Sequence, residues 1–285
     1  MMKNININKN PIVKAKQKVA VIGHGYVGKA VKAFFETHYD VLVYDIAQPD
    51  VSASKEEINK AGLAVISVPT PMSDNGSADI SALESTLKWL KTPLILIKST
   101  IPPGTTAMLS KKYKKDIAFS PEYIGEGNYA VAFWKGYPDP LSMKNHDFMI
   151  IGGPKKVTPK ILTFFKKVLG AEPRYFQTDS TTAELVKYME NSFLATKVTF
   201  CNEFFDMAET LGVDYDELRE LWLLDGRMGR SHTAVFRDNR GFGGKCLPKD
   251  VNAIVKALTK AGYEPSLLKA VLSTNDKIRK NNPNS

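Results

Sequence analysis

Cysteine is scarce in this chain. Cys201 and Cys246 are the only two, too few for a disulfide framework, so a reducing cytoplasm is the expected setting. Long apolar runs are missing too. None approaches the roughly 18 to 20 residues that span a bilayer, which argues against a membrane protein. The first eighteen residues lack both acids and the apolar core of a signal peptide. They carry Lys3, Lys9, Lys14, Lys16 and Lys18, and residues 1–17 read as a mobile extension. Zinc-finger spacings and RNA-binding aromatic signatures are absent, so the formal charge of +9 does not argue for nucleic acid. The excess beyond the extension suits an anionic small ligand, such as a dinucleotide or a sugar diphosphate. No metal site is expected.

What is present is an ordinary globular composition, 43% hydrophobic and 24% charged, over 285 residues. That length suggests two units. From 18 to 178, short apolar stretches alternate with helical patterns. Strands are expected at 18–22, 41–45, 63–68, 94–99, 116–120, 148–152 and 174–177. Helices are expected from the glycine turn to about Thr37, at 80–90 and at 159–169. This alternation predicts a Rossmann-type, mostly parallel α/β sheet. Beyond Asp179 the pattern turns all-helical, with a long central helix over 181–211 and further helices at 214–224, 250–261 and 265–278. The expected second unit therefore covers 179–279, with a fraying tail at 280–285.

Gly23-His24-Gly25-Tyr26-Val27-Gly28 follows the first strand and opens a helix. The first glycine makes the tight turn, the second admits a pyrophosphate, and the third lets helix and strand pack closely. Asp45 falls 22 residues after Gly23, where an acid hydrogen-bonds the ribose hydroxyls of NAD and disfavours the phosphate of NADP. NAD is the expected cofactor. His24 lies inside this turn and His232 before the second cysteine; neither has an identifiable partner, and both are read as non-catalytic.

The decapeptide Gly241-Phe242-Gly243-Gly244-Lys245-Cys246-Leu247-Pro248-Lys249-Asp250 surrounds one cysteine with glycines and lysines. Flanking cations favour the thiolate, so a covalent catalyst is one reading. A glycine-rich turn with an incidental buried cysteine is the other. Cys201, among large apolar residues of the long helix, reads as packing.

Four more stretches stand out: Val68-Pro69-Thr70-Pro71, the run Lys98–Thr106, the run Ser120–Gly127, and Glu184, Lys187 and Asn191 on one face of the long helix. Each alone has a dull explanation, as a strand terminator or a solvated helix face. Together with the glycine turn, Asp225-Gly226-Arg227-Met228-Gly229 and the cysteine loop, all in chain order, they closely resemble the UDP-glucose/GDP-mannose dehydrogenase family. The resemblance runs from about Lys18 to Asn275.

That resemblance implies oxidation of a nucleotide sugar, most often UDP-glucose, at its C6 alcohol to the carboxylate with two NAD, supplying uronate for polysaccharide synthesis. It implies Cys246 as nucleophile, Lys187 and Asn191 as the oxyanion pair, and Asp250 and Thr100 as holders of the catalytic water. Glu122 and Glu126 would lie beside the sugar, with Tyr123, Phe242, Gly243 and Lys245 also lining the substrate. Tyr26, Val27, Pro69, Thr70 and Thr100 would join the glycine turn around the cofactor. Arg227 would reach substrate across a homodimer built on the long helix. Family members typically continue beyond the cysteine loop into a second nucleotide-binding domain that helps hold the nucleotide; here that task would fall to Arg227, Lys245 and the dimer partner, or to a separately encoded substrate domain. Two other readings remain: a one-step hydroxy-acid dehydrogenase of the 6-phosphogluconate type, which needs no cysteine, and a non-catalytic NAD- or sugar-nucleotide-binding protein.

Overall fold

A computed structural model describes residues 16–124 and 142–281. Most of the amino-terminal extension, Gly125 to Leu141 (Glu126 included) and the last four residues lie outside the described residues.

Seven strands form one sheet: β1 (Lys18–Ile22), β2 (Asp40–Tyr44), β3 (Leu63–Ile66), β4 (Ile95–Ile97), β5 (Ile117–Phe119), β6 (Phe148–Gly152) and β7 (Arg174–Thr178). Their order is β2-β1-β3-β4-β5-β6-β7, parallel throughout except that β5 and β6 pair antiparallel. The central strands are short unbroken apolar runs because both faces are covered; every residue of β3, β4 and β5 is buried. On one face α1 (Tyr26–Phe35) and α5 (Thr158–Leu169) contribute Phe34, Phe35 and Phe165, whose rings meet at 4.9–5.4 Å. On the other, α3 (Ser81–Trp89) and α4 (Thr105–Tyr113) contribute Leu83, Leu87 and Leu109.

The strand order reverses between β1 and β3, which opens a crevice at the carboxyl ends of those strands. The glycine turn and the Val68–Pro71 loop both leave the sheet there. The connection from 46 to 62 holds a 3-10 turn, Pro49–Val51, and a one-turn helix, α2 (Lys55–Ile58), started by a Ser54–Glu57 capping box.

The long helix is α6 (Ser180–Leu211), 32 residues. It begins where the Asp179 carboxylate accepts the Thr182 N–H at 2.9 Å and stops at Gly212 in the left-handed region, φ 69°. Around it pack α7 (Tyr215–Trp222), α8 (Leu247–Lys260) and α9 (Ser266–Lys280). Most elements run a few residues shorter or longer than expected, and two of these differences bear on the site. β2 ends at Tyr44, so Asp45 is the first residue past it. Helix α8 starts at Leu247 rather than Asp250, because Pro248 fits the first turn, where an N–H would go unpaired anyway. Cys246 thereby becomes the N-cap residue of α8.

Among the described residues no helix is long and apolar enough to cross a membrane.

Candidate active site

At the cofactor end the three glycines divide the work as their spacing suggests. Gly23 has φ 88°, and a Cβ there would lie 2.6 Å from the Ser67 carbonyl oxygen. A Cβ on Gly28 would lie 1.9 Å from the Gly23 carbonyl oxygen, so α1 can start here only with glycine. A Cβ on Gly25 would meet nothing within 4 Å. That open side, at the N-terminus of a helix and at the sheet's switch point, leaves room where an anionic phosphate could bind. Asp45 sits beside it, its two carboxylate oxygens accepting the His24 N–H at 2.6 Å and the Ala47 N–H at 2.8 Å. A carboxylate has about four acceptor sites, so it retains capacity for ribose hydroxyls. Tyr26 and Val27 form the first turn of α1, with Tyr26 exposed. Across the crevice, Thr70 donates its hydroxyl to the Thr100 carbonyl at 2.8 Å, joining the loops after β3 and β4; Pro69 precedes it, exposed. These residues fit a dinucleotide.

The second group gathers on α6 and α8. Glu184, Lys187 and Asn191 share one face and are all buried, at 0%, 8% and 4% exposure. The solvated-face alternative is therefore wrong. Each has separate work. Glu184 accepts the backbone N–H groups of Gly104 (2.6 Å) and Thr106 (2.7 Å), which caps α4 and fixes the loop carrying Thr100. Burial pushes the Glu184 carboxyl up, against those hydrogen bonds. Lys187 donates to Glu190 at 3.1 Å and lies 5.4 Å from the Tyr123 ring centre. Asn191 donates its amide to Asp250 at 2.5 Å. Asp250 is 1% exposed, is also contacted by Lys249, and returns its backbone N–H to the Cys246 carbonyl at 2.9 Å. One helical turn thus separates the cysteine from a buried carboxylate already bonded to α6.

Cys246 is partly buried at the α8 N-terminus, as the residue that precedes the helix. Cys201 is buried at 1% exposure, packs in a cluster with Phe205 and Tyr215, and has its thiol pushed up by burial. The two cysteines occupy opposite environments.

Glu122 follows β5, and burial raises its carboxyl although Lys187 and Lys98 oppose that. Lys98, directly after β4, also lies here, with no role implied by the resemblance. It is 5% exposed, donates to the Pro121 carbonyl at 3.2 Å and lies 3.4 Å from the Ser120 hydroxyl. Burial lowers its ammonium to about 8, with Glu122 pulling it back up and Lys187 pushing it further down. A lysine closing an apolar strand was the available signal.

Arg227 is exposed and forks onto Asp225 of its own loop, through Nε at 3.0 Å and Nη2 at 2.5 Å. Those contacts do not join it to the cysteine group of its own chain. Lys197 of α6 holds the same loop by donating to the carbonyls of Met228 (3.0 Å) and Gly229 (2.6 Å). Phe242 is buried, Gly243 is partly buried, and Lys245 is exposed. Among the described residues no cluster of three or more His, Cys, Asp or Glu side chains is arranged to hold a metal ion.

Comparison with known proteins supplies the family. Residues 51–160 match the NAD binding domain of the UDP-glucose/GDP-mannose dehydrogenase family, and residues 181–277 match its central domain. The glycine turn and Asp45 precede the first match and rest on the geometry above. The UDP-glucose 6-dehydrogenase TuaD of Bacillus subtilis is 29% identical over 92% of this chain and 64% of its own length. The chain therefore spans less than two thirds of that relative. Among solved structures, a UDP-glucose dehydrogenase from Pyrobaculum islandicum superposes with TM-score 0.77 at 28% identity, covering 94% of this chain and 70% of the other. A 3-hydroxyisobutyrate dehydrogenase from Mycobacterium tuberculosis, 14% identical, shares the fold alone, with TM-score 0.68 over 94% of this chain and 95% of that one. With its two matched segments in order on a seven-stranded sheet and a long central helix, the chain belongs to the UDP-glucose/GDP-mannose dehydrogenase family.

Proposed function

We propose that this chain is an NAD-dependent nucleotide-sugar 6-dehydrogenase, taking UDP-glucose to UDP-glucuronate by a four-electron oxidation through Cys246. The observation that carries the reading is the Cys246–Asp250–Asn191 arrangement: a cysteine capping a helix, one turn from a buried carboxylate that is bonded to α6. NAD, when bound, accepts a hydride at each of two oxidation steps.

The chain's own residues do the rest. A carboxylate, Asp250 or Glu122 acting through water, takes the C6 hydroxyl proton as the aldehyde forms. The Cys246 thiolate adds to the aldehyde carbon, giving a thiohemiacetal that is oxidised to a thioester. Water, held by Asp250 and Thr100, then hydrolyses the thioester to free carboxylate and thiolate. Lys187 and the Asn191 amide oppose negative charge on the C6 oxygen in both additions. Covalent capture keeps the aldehyde from leaving between oxidations. Glu122, Glu126, Tyr123, Phe242, Gly243 and Lys245 line the sugar nucleotide in this reading, and a thiol with this task suits a reducing cytoplasm.

The same proposal places cofactor binding in 18–178 and the cysteine chemistry in 179–279, with two chains pairing along α6. The face of α6 opposite Lys187 and Asn191 exposes Leu185, Met189, Phe193, Phe200, Phe204 and Leu211, Met189 at 75% and Leu211 at 77%. Their successive spacings of four or seven residues make one apolar stripe about 39 Å long. A second copy of the helix is its natural cover, and it would bring the partner's Arg227 loop, held by Lys197, toward the substrate.

The test is NADH released per UDP-glucose consumed by the purified chain. Two per sugar supports the four-electron reaction. One would leave Cys246 without a role and favour a single-step alcohol oxidation, the chemistry in the name of the hydroxyisobutyrate enzyme that shares the fold. None, with NAD bound, would point to another sugar nucleotide, a separate substrate-holding domain or a binding protein.

A further inference from the structure

The loop before Cys246 carries glycine at 241, 243 and 244, with φ 75° at both Gly241 and Gly244. Glycine-rich backbone has the most conformational freedom to lose, yet a nucleophile must be held in one place to benefit from proximity. Asn275 of α9 supplies the restraint. Its side-chain oxygen accepts the Phe242 N–H at 2.7 Å, and its side-chain nitrogen donates to the Phe242 carbonyl at 3.0 Å. One buried amide, 4% exposed, therefore satisfies both main-chain groups of one loop residue, as a neighbouring strand would.

The surroundings are built around this contact. A Cβ on Gly241 would lie 2.6 Å from the Asn275 side-chain oxygen, and one on Gly243 would lie 2.8 Å from the Arg279 guanidinium, one turn further along α9. The loop lacks side chains where α9 occupies their room. The Phe242 ring is 3% exposed and packs with Ala195 of α6, Val251 of α8 and Val271 of α9. On the amino-terminal side, the Asn202 side-chain oxygen accepts from the Gly241 N–H at 3.1 Å and from Arg240 Nε at 2.9 Å. The chain is thus fixed at Phe242 and again where α8 begins, and Cys246 lies between the loop and that helix.

We infer that Asn275 is a positioning residue for Cys246: by clamping Phe242 it sets where the thiol sits at the N-terminus of α8. As a statement about the reaction, this rests on Cys246 being the nucleophile proposed above. Removing the amide leaves two buried main-chain groups unpaired, and the glycines let the loop relax toward water, carrying the thiol away from the start of α8.

The test is the rate of Cys246 alkylation by iodoacetamide in the full chain, read peptide by peptide in a mass spectrometer from about pH 6 to about pH 10. In Asn275→Ala the Cys246 rate at neutral pH is expected to change about fivefold or more, and its pH profile to move. Cys201 should stay slow and NAD binding unchanged, which reports an intact fold. A Cys246 profile superimposable on the wild type overturns the clamp. If Asn275→Ala exposes Cys201, Asn275→Asp, which keeps the accepting oxygen, is read by the same two outcomes. Alkylation needs no turnover, so the readings fail separately: an unmoved thiol profile counts against the clamp, and absence of sugar oxidation counts against the proposed reaction.

Discussion

The amide of Asn191 donates to the carboxylate of Asp250 at 2.5 Å, with both residues all but closed to solvent. The bond joins the middle of α6 to the first turn of α8, and Asp250 shares that turn with Cys246. Asp250→Asn removes the charge while nearly keeping the shape. Steady-state turnover with a nucleotide sugar is expected to fall about 100-fold or more, the usual scale for losing a general base. NAD affinity by fluorescence titration should not change. A variant within a few fold of wild type would remove Asp250 from the proton transfers.

Asn191→Ala leaves the Asp250 carboxylate buried and short of a donor. Urea unfolding should show a loss of about 1–3 kcal/mol, the cost of an unsatisfied buried polar group. Unchanged stability would mean that water replaces the amide.

The cofactor turn offers a paired test. Gly28→Ala puts a methyl 1.9 Å from a backbone oxygen, with no flexible side chain to give way, and should cost about 3 kcal/mol or more. Gly25→Ala meets nothing within 4 Å, so thermal unfolding without cofactor should be nearly unchanged. Its affinity for NAD should drop about tenfold or more, because the methyl fills the space the pyrophosphate needs. Equal effects in both assays would contradict the division of labour among the glycines.

Lys98 gives a dependence on pH. Its ammonium is lowered from 10.5 to about 8 by burial, so the unfolded chain binds the extra proton more readily than the folded one. Between those values stability rises with pH; below about 8 the full cost of burying the charge applies. Lys98→Met removes that cost but leaves the Pro121 carbonyl without its donor. The net expectation is a gain of about 1–3 kcal/mol at pH 7, and loss of the rise in stability above pH 8 that wild type shows by denaturant titration. A destabilised variant would indicate that the ammonium is paired in the fold.

Sedimentation tests the stripe on α6. Phe193→Glu with Met189→Glu should convert a dimer to a folded monomer, since both side chains are solvent-facing in the single chain, at 64% and 75% exposure. A wild-type monomer would send the apolar face to some other partner.

Much of this was legible in the residues. Unbroken apolar runs marked the buried parallel strands, and the glycine spacing marked the cofactor turn. Glu184, Lys187 and Asn191 were placed on one face by the 3.6-residue repeat alone. Their directions were not legible. Whether such a face meets water or the interior depends on what packs there, and the answer, α4 for Glu184 and α8 for Asn191, is a tertiary fact. The start of α8 was missed because a proline after the cysteine looks like a boundary, although a helix accepts proline in its first turn. Asn275 lay at the edge of the recognised segment with no local pattern around it. Its partner is 33 residues away, and nothing in a linear reading pairs them.

Helix α6 also behaves as a ruler. Along one rigid rod Glu184 meets the α4 loop, Asn191 meets α8, Lys197 meets the Arg227 loop and Asn202 meets the segment before the cysteine. The first and last of these stations lie about 27 Å apart. An inserted residue would turn every later station by about 100° around the axis, so all contacts beyond it would miss together. A change of length can therefore be absorbed in the connections but not between Glu184 and Asn202, whose spacing is set by the helix.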